Sequence, residues 1–125
     1  MEKLPEAEFA VMDALWRNGS PATTRALQER LEEHNWKTPA LISLLNRLME
    51  RGFLSSEKSG KERMYTATVR REEYLEFETQ AFLKRVHGGS VTSLLQSMNG
   101  GSTLSEEESA ELIDWFRKNF GEEAK

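Results

Sequence analysis

The chain has 125 residues, 38% of them apolar, and a formal net charge of −4, which suits one domain or a small domain with an oligomerisation segment. It contains no cysteine, so disulfides and thiolate metal sites are excluded, and no run approaches the ~18 apolar residues that span a membrane. No apolar run follows basic residues at the N-terminus, so no signal peptide is expected, and the composition reads as a soluble cytoplasmic protein without membrane contact.

The first helix is predicted from about Pro5 to Asn18. Proline suits a first helical turn, and Glu6 and Glu8 favour the positive end of the dipole. Phe9, Met12, Leu15 and Trp16 fall on one face. Asn18-Gly19 ends the helix and Ser20-Pro21 turns the chain. Thr23 is a candidate N-cap for a second helix from about Thr24 to His34, with Leu27 and Leu31 inward. Trp36 lies in the next turn. A third helix is predicted from about Pro39 to Arg51, with Leu41, Leu44, Leu45 and Leu48 as its inward stripe and Gly52 as its stop.

Phe53 to Lys58 reads as a strand, Ser59-Gly60-Lys61 as a hairpin turn and Arg63 to Val69 as the return strand, rich in β-formers. Tyr65 in that strand reads as a residue packed on the core, with a phosphate contact as the alternative. Three helices followed by a β-hairpin is the order of a winged helix-turn-helix. The remainder reads as helical. A long helix runs from Arg71 to His87, with Leu75, Phe82 and Val86 on one stripe, and Gly88-Gly89 breaks it. Ser90 caps a short helix through about Met98, with Val91, Leu94, Leu95 and Met98 inward. Asn99-Gly100-Gly101 breaks the chain again. Ser105 with Glu108 fits a capping box, opening a last helix to about Phe120 whose apolar face carries Leu112, Ile113, Trp115, Phe116 and Phe120.

The predicted fold is therefore mainly α with a small β-wing. An N-terminal winged helix-turn-helix over residues 1–71 precedes a helical dimerisation segment over 72–125. Three amphipathic helices need more surface than a domain of this size offers. A second copy of the same segment supplies it economically, as a two-fold homodimer. The expected dimer contacts are Leu75, Phe82, Val86, Val91, Leu94, Leu95, Leu112, Ile113, Trp115 and Phe116; a single larger monomeric core is the alternative.

Charge is distributed unevenly. Residues 37–71 hold eight Lys/Arg against three Glu, whereas residues 72–125 hold five against eleven Asp/Glu. Such asymmetry points to a DNA-facing part and a part that stays off DNA. The outward face of the third helix presents Thr38, Ile42, Ser43, Asn46 and Arg47, with Lys37 just before it. In a helix-turn-helix this face enters the major groove. Asparagine there pairs with adenine, arginine with guanine or phosphate, and an isoleucine meets a thymine methyl. Lys58, Lys61 and Arg63 flank the hairpin tip, where they can reach backbone phosphates or an adjacent minor groove and set affinity rather than sequence preference. A solvated polar face is the competing reading of each of these residues, and a winged-helix protein-interaction module without specific DNA binding is the competing function.

Nothing points to catalysis, a cofactor or a metal. His34 and His87 stand far apart with no metal-type spacing to another ligand, and no phosphate-cradling glycine motif is present. Glu106-Glu107-Glu108 falls in a first helical turn, which suits the dipole.

Taken together, these pieces resemble the penicillinase-repressor family, the BlaI/MecI/CopY type of bacterial winged-helix repressors. Leu4 to Phe9, with Val11-Met12 and Leu15-Trp16, is similar to the family's opening helix. Trp36 to Leu48 resembles its recognition helix, and Arg51 to Leu54 with Gly60 to Tyr65 its strand and wing. Glu72 to Leu75, Phe82-Leu83 and Gly88 to Ser90 resemble its dimerisation helices. The resemblance implies a homodimer that binds double-stranded DNA at a palindromic operator and blocks transcription. It also implies a membrane sensor protease that triggers cleavage at an Asn-Phe bond; a small ligand between the dimer arms, with the Gly-Gly breaks as hinges, is an alternative inducer read from the sequence itself. The chain departs from the family in places. No Asn-Phe pair lies around Leu94 to Met98, the pair at Asn119-Phe120 ends the last helix, and the paired cysteines of copper-responsive relatives are missing. Ala40 and Ser43 stand where many relatives have threonine, and Ile42 where a polar residue is common, so the operator sequence is not transferable.

Overall fold

The computed structural model describes residues 1–100 and 104–121, the side chains of 99, 100, 120 and 121 excepted. Gly101 of the predicted break and the side chain of Phe120 lie outside the described residues. The chain divides into two compact units, residues 1–79 and 80–125.

In the first unit, α1 spans Glu6–Asn18 and buries Val11, Met12, Ala14 and Leu15. Phe9 and Trp16, predicted on the inward face, flank it half-buried. Gly19, at φ +88°, ends the helix in a conformation that glycine adopts without a Cβ clash. A two-residue strand, β1 (Ala22–Thr23), follows; no local pattern in the sequence marks it, and it makes the sheet three-stranded. Helix α2 spans Thr24–Arg30 and is capped as expected, the Thr23 hydroxyl accepting the Ala26 N–H at 3.0 Å. It is shorter than predicted. At Leu31 the chain tightens into a 3₁₀ turn, Glu32–His34, which gives the last carbonyls i+3 partners, and Asn35 then turns left-handed at φ +54°.

Helix α3 spans Thr38–Glu50 with Pro39 in its first turn, and buries Leu41, Leu45 and Leu48. Its end is a Schellman motif: Gly52, at φ +83°, donates to Met49 O, and Phe53 donates to Leu48 O. The wing follows as β2 (Leu54–Ser59) and β3 (Glu62–Ala67), closed by the two-residue turn Gly60-Lys61. The strand order is β1-β3-β2, all antiparallel.

Helix α4 spans Arg71–His87, so the division between the units falls inside it. Its first turns complete the core of unit one. Tyr74 is fully buried among the rings of Phe9, Trp16, Phe53 and Phe77. Trp16 Nε1 donates to Val69 O at 3.0 Å, fastening the chain that leads into α4. Glu8, only 2% exposed, accepts from Arg51 Nε at 2.6 Å, and Arg51 also reaches Glu2 at 2.6 Å. The hydrogen bond to Glu8, ahead of the opposing effect of desolvation, raises the Arg51 pKa. Arg51 therefore leaves the group of cations available to a partner, although it sits in the basic stretch of the sequence.

In the second unit, Gly88 and Gly89 end α4, and Ser90 accepts the Ser93 N–H at 3.1 Å to start α5 (Val91–Gly100). Helix α6 (Glu106–Phe116) opens with the predicted capping box. Ser105 accepts the Glu108 N–H at 3.1 Å, and Glu108 accepts the Ser105 N–H at 3.2 Å. Beyond Phe116 the chain widens to a π turn, Arg117–Gly121, where a continuous α-helix is expected from the sequence. Leu94, Leu95, Met98 and Leu112 are half-buried. Phe82, Val86, Val91, Ile113, Trp115 and Phe116 remain exposed within one chain. No helix among the described residues is long and apolar enough to cross a membrane.

Candidate nucleic-acid interface

The leucine stripe of α3 decides what the helix offers to solvent. With Leu41, Leu45 and Leu48 buried, Thr38, Ile42, Ser43, Asn46 and Arg47 are exposed, and Lys37 precedes them at the N-cap position. Gln28 of α2 fixes the start of this helix. Its amide nitrogen donates to Trp36 O at 3.2 Å, and its amide oxygen accepts the Thr38 hydroxyl at 3.0 Å. The Thr38 hydroxyl proton thus has an internal partner, which leaves the oxygen lone pairs for a ligand. His34 stacks on Trp36 with ring centroids 4.4 Å apart, holding the turn between α2 and α3.

The wing tip faces the same side. A groove of about 750 Å³ runs between α2, α3 and the start of β3. It brings Thr38, Ile42 and Asn46 of α3 together with Lys61 and Arg63 of the wing. Five of the nine residues singled out from the sequence therefore line one concave surface. Lys37, Ser43, Arg47 and Lys58 are exposed but lie outside the groove wall. Arg63 Nη1 donates to Ser56 Oγ at 2.9 Å. Cross-strand register sets Lys58 directly opposite Arg63. Like charges so placed cost stability, typically a few tenths of a kcal/mol, so the pair has no structural benefit by itself.

The groove also contains residues that sequence reasoning missed, Thr24, Arg25 and Gln28 of α2. Arg25 lies twelve positions before the basic stretch begins at Lys37, so a charge count along the chain passes it by. Only the pairing of β1 with β3 brings it to the wing, where its Nη2 lies 3.4 Å from Glu62 Oε1. Tyr65, the strand tyrosine, is buried in the core.

Such a surface is equipped to bind rather than to react. Its charged groups are arginine and lysine with one carboxylate, and both histidines are engaged elsewhere, His34 on Trp36 and His87 with Ser93 Oγ at 2.8 Å. No cluster of three potential metal ligands occurs among the described residues.

Comparison with known proteins agrees with the geometry. The penicillinase repressor family model matches residues 4–118. The chain is 30% identical over 115 residues to the penicillinase repressor of Bacillus licheniformis, covering 90% of each protein. It is 24% identical over 116 residues to the methicillin resistance regulatory protein MecI of Staphylococcus aureus (strain N315), covering 93% of this chain and 94% of that one. The solution structure of the DNA-binding domain of the repressor BlaI matches with a TM-score of 0.51 at 27% identity, over 59% of this chain and 94% of that chain. Helix order, wing and sequence similarity over nearly the full length converge: the chain is a DNA-binding transcriptional repressor, not an enzyme, and it belongs to the penicillinase repressor family.

Proposed function

We propose that two copies of this chain bind a palindromic operator as a two-fold homodimer and block transcription there, in the bacterial cytoplasm where the DNA lies. Residues 1–71 carry the DNA contacts, and the dimer contacts fall within residues 72–125. Lys37, Thr38, Ile42, Ser43, Asn46 and Arg47 meet the major groove, and Lys58, Lys61 and Arg63 meet the flanking backbone. One observation carries this reading: Thr38, Ile42 and Asn46 from the exposed face of α3 line the same groove as Lys61 and Arg63 of the wing. The charge also supports it, because the Lys58–Arg63 juxtaposition is unfavourable until an anion joins it. A two-fold dimer of such units sets its recognition helices about one helical turn, ~34 Å, apart, which matches a palindrome.

Fluorescence-anisotropy titration against the DNA upstream of the chain's own gene, with a scrambled duplex as control and two salt concentrations, tests the proposal. Tight binding that prefers the upstream DNA and weakens with salt is expected, because each neutralised phosphate releases counterions. Salt-insensitive or absent binding to both duplexes would remove this face as a DNA interface and favour a protein-interaction module.

A further inference from the structure

Among the described residues, Glu62 is the one carboxylate that lines the groove, and it lies against Arg25. Their meeting follows from the sheet. Ala22 pairs with Tyr65 and Thr23 with Met64. The pairing ends at Thr23, where α2 begins, and so sets the first turn of α2, with Arg25, beside Glu62 at the start of β3. The pair is open to solvent, with the Arg25 side chain 79% exposed and Glu62 49% exposed, and the contact is 3.4 Å long. Exposed pairs of this kind are weak and exchange partners readily. The guanidinium fork accepts a carboxylate or a phosphate with the same geometry. In a helix-turn-helix, the helix before the recognition helix crosses the DNA backbone, and Arg25 sits in the first turn of that helix, α2.

We propose that Glu62 is an internal stand-in for a DNA phosphate: it holds Arg25 in the free protein, yields it to the backbone on binding, and so lowers the affinity of this face for DNA of any sequence. The inference rests on the DNA-binding role of the groove proposed above. It gives a wing otherwise rich in cations a residue that works against indiscriminate binding. Bringing a phosphate to Arg25 means giving up the Glu62 contact and leaving a second anion close by. Phosphate contacts carry no sequence information, so this opposition applies to every site, and base contacts from α3 must overcome it.

A double-mutant cycle tests the exchange. The full chain, Arg25→Gln, Glu62→Gln and the double variant are titrated against a labelled mixed-sequence duplex at two salt concentrations, with melting curves to check folding. Glu62→Gln is expected to tighten binding when Arg25 is present. That gain should exceed the gain in the Arg25→Gln background by about two- to fivefold, the worth of an exposed ion pair. Arg25→Gln should flatten the slope of log K against log salt by about 0.9, one phosphate contact. Equal gains in both backgrounds would mean that Glu62 acts only through its field, and would overturn the exchange while leaving the DNA-binding role standing. Weaker binding by Glu62→Gln would overturn it as well, since the carboxylate would then be a direct contact to a base. Absence of salt-dependent binding by the unaltered chain would remove both this inference and the DNA role of the groove.

Discussion

Tyr74 and Leu4, 70 residues apart in the chain, are joined by a buried hydrogen bond: the Tyr74 hydroxyl oxygen accepts the Leu4 N–H at 2.8 Å and donates to Glu78 Oε1 at 3.0 Å. The segment before α1 is thereby pinned to the root of α4, inside the core of the first unit. Tyr74→Phe keeps the ring among Phe9, Trp16, Phe53 and Phe77 but leaves the Leu4 N–H without an acceptor. An orphaned buried donor costs about 1–3 kcal/mol. The urea midpoint should fall accordingly with no change of slope. An unchanged midpoint would mean that water replaces the hydroxyl at no cost.

The same residue makes stability sensitive to alkali. Burial pushes the Tyr74 phenol above its ordinary value of 10.0, the Leu4 N–H opposes this, and Glu78 adds to it. At high pH the unfolded chain therefore loses this proton before the folded one does. The contribution is complete below the unfolded value and is lost as pH rises through the folded value. Melting temperatures measured from about pH 9 to 11 should fall, and fall less for Tyr74→Phe. The difference between the two chains isolates Tyr74, because lysines also titrate in this range. Parallel curves would show that the phenol does not carry the effect.

On the DNA face, helix and wing should fail in different ways. Asn46 and Arg47 are exposed on α3, and both are residue types that can pair bidentately with base edges. Asn46→Ala or Arg47→Ala should reduce discrimination between operator and scrambled DNA by about 1–3 kcal/mol for each bidentate base pairing removed. Each should leave unfolding unchanged, because neither side chain is buried. Competition titrations report this directly, and retained discrimination would reassign the residue to the solvated face.

Lys61, by contrast, belongs to the wing tip and the groove wall. Lys61→Gln should weaken operator and scrambled DNA alike and flatten the salt slope by about 0.9 for one phosphate contact. A weakening confined to the operator would make Lys61 a base contact instead, and an unchanged slope would put the wing outside the footprint.

Much of this is readable from the sequence because it depends on local chemistry. The leucine spacing of α3 fixes its outward face, Ser105 and Glu108 announce a cap, and Gly60 announces the hairpin. What escapes depends on pairing between distant segments. Ala22-Thr23 is too short to show a period, so β1 appears only through its partner β3, and with it Arg25 joins the groove. Arg51 shows the opposite error. Its place in a basic run points outward, yet it occupies the end of α3 that packs toward α1, where the buried Glu8 claims it. Composition counts charge along the chain, whereas packing decides which of those charges a partner meets.

The second unit exposes apolar side chains in a way a lone chain does not need. Phe82 is 42% exposed, Val86 49%, Val91 45% and Ile113 54%. A stable protein–protein interface removes roughly 800 Å² from each partner, and apolar area leaving water gains about 25 cal/mol per Å². Val86→Glu tests whether a second copy covers this surface. Within one chain the side chain is half open to water, so the melting of the first unit should not change. In a dimer that covers this face the new carboxylate would be desolvated against apolar surface, and self-association should fail. Sedimentation velocity should then report a monomer. Operator affinity should fall much further than non-specific affinity, because the second half-site is no longer delivered at high local concentration. A Val86→Glu chain that still sediments as a dimer would move the interface off this face of α4.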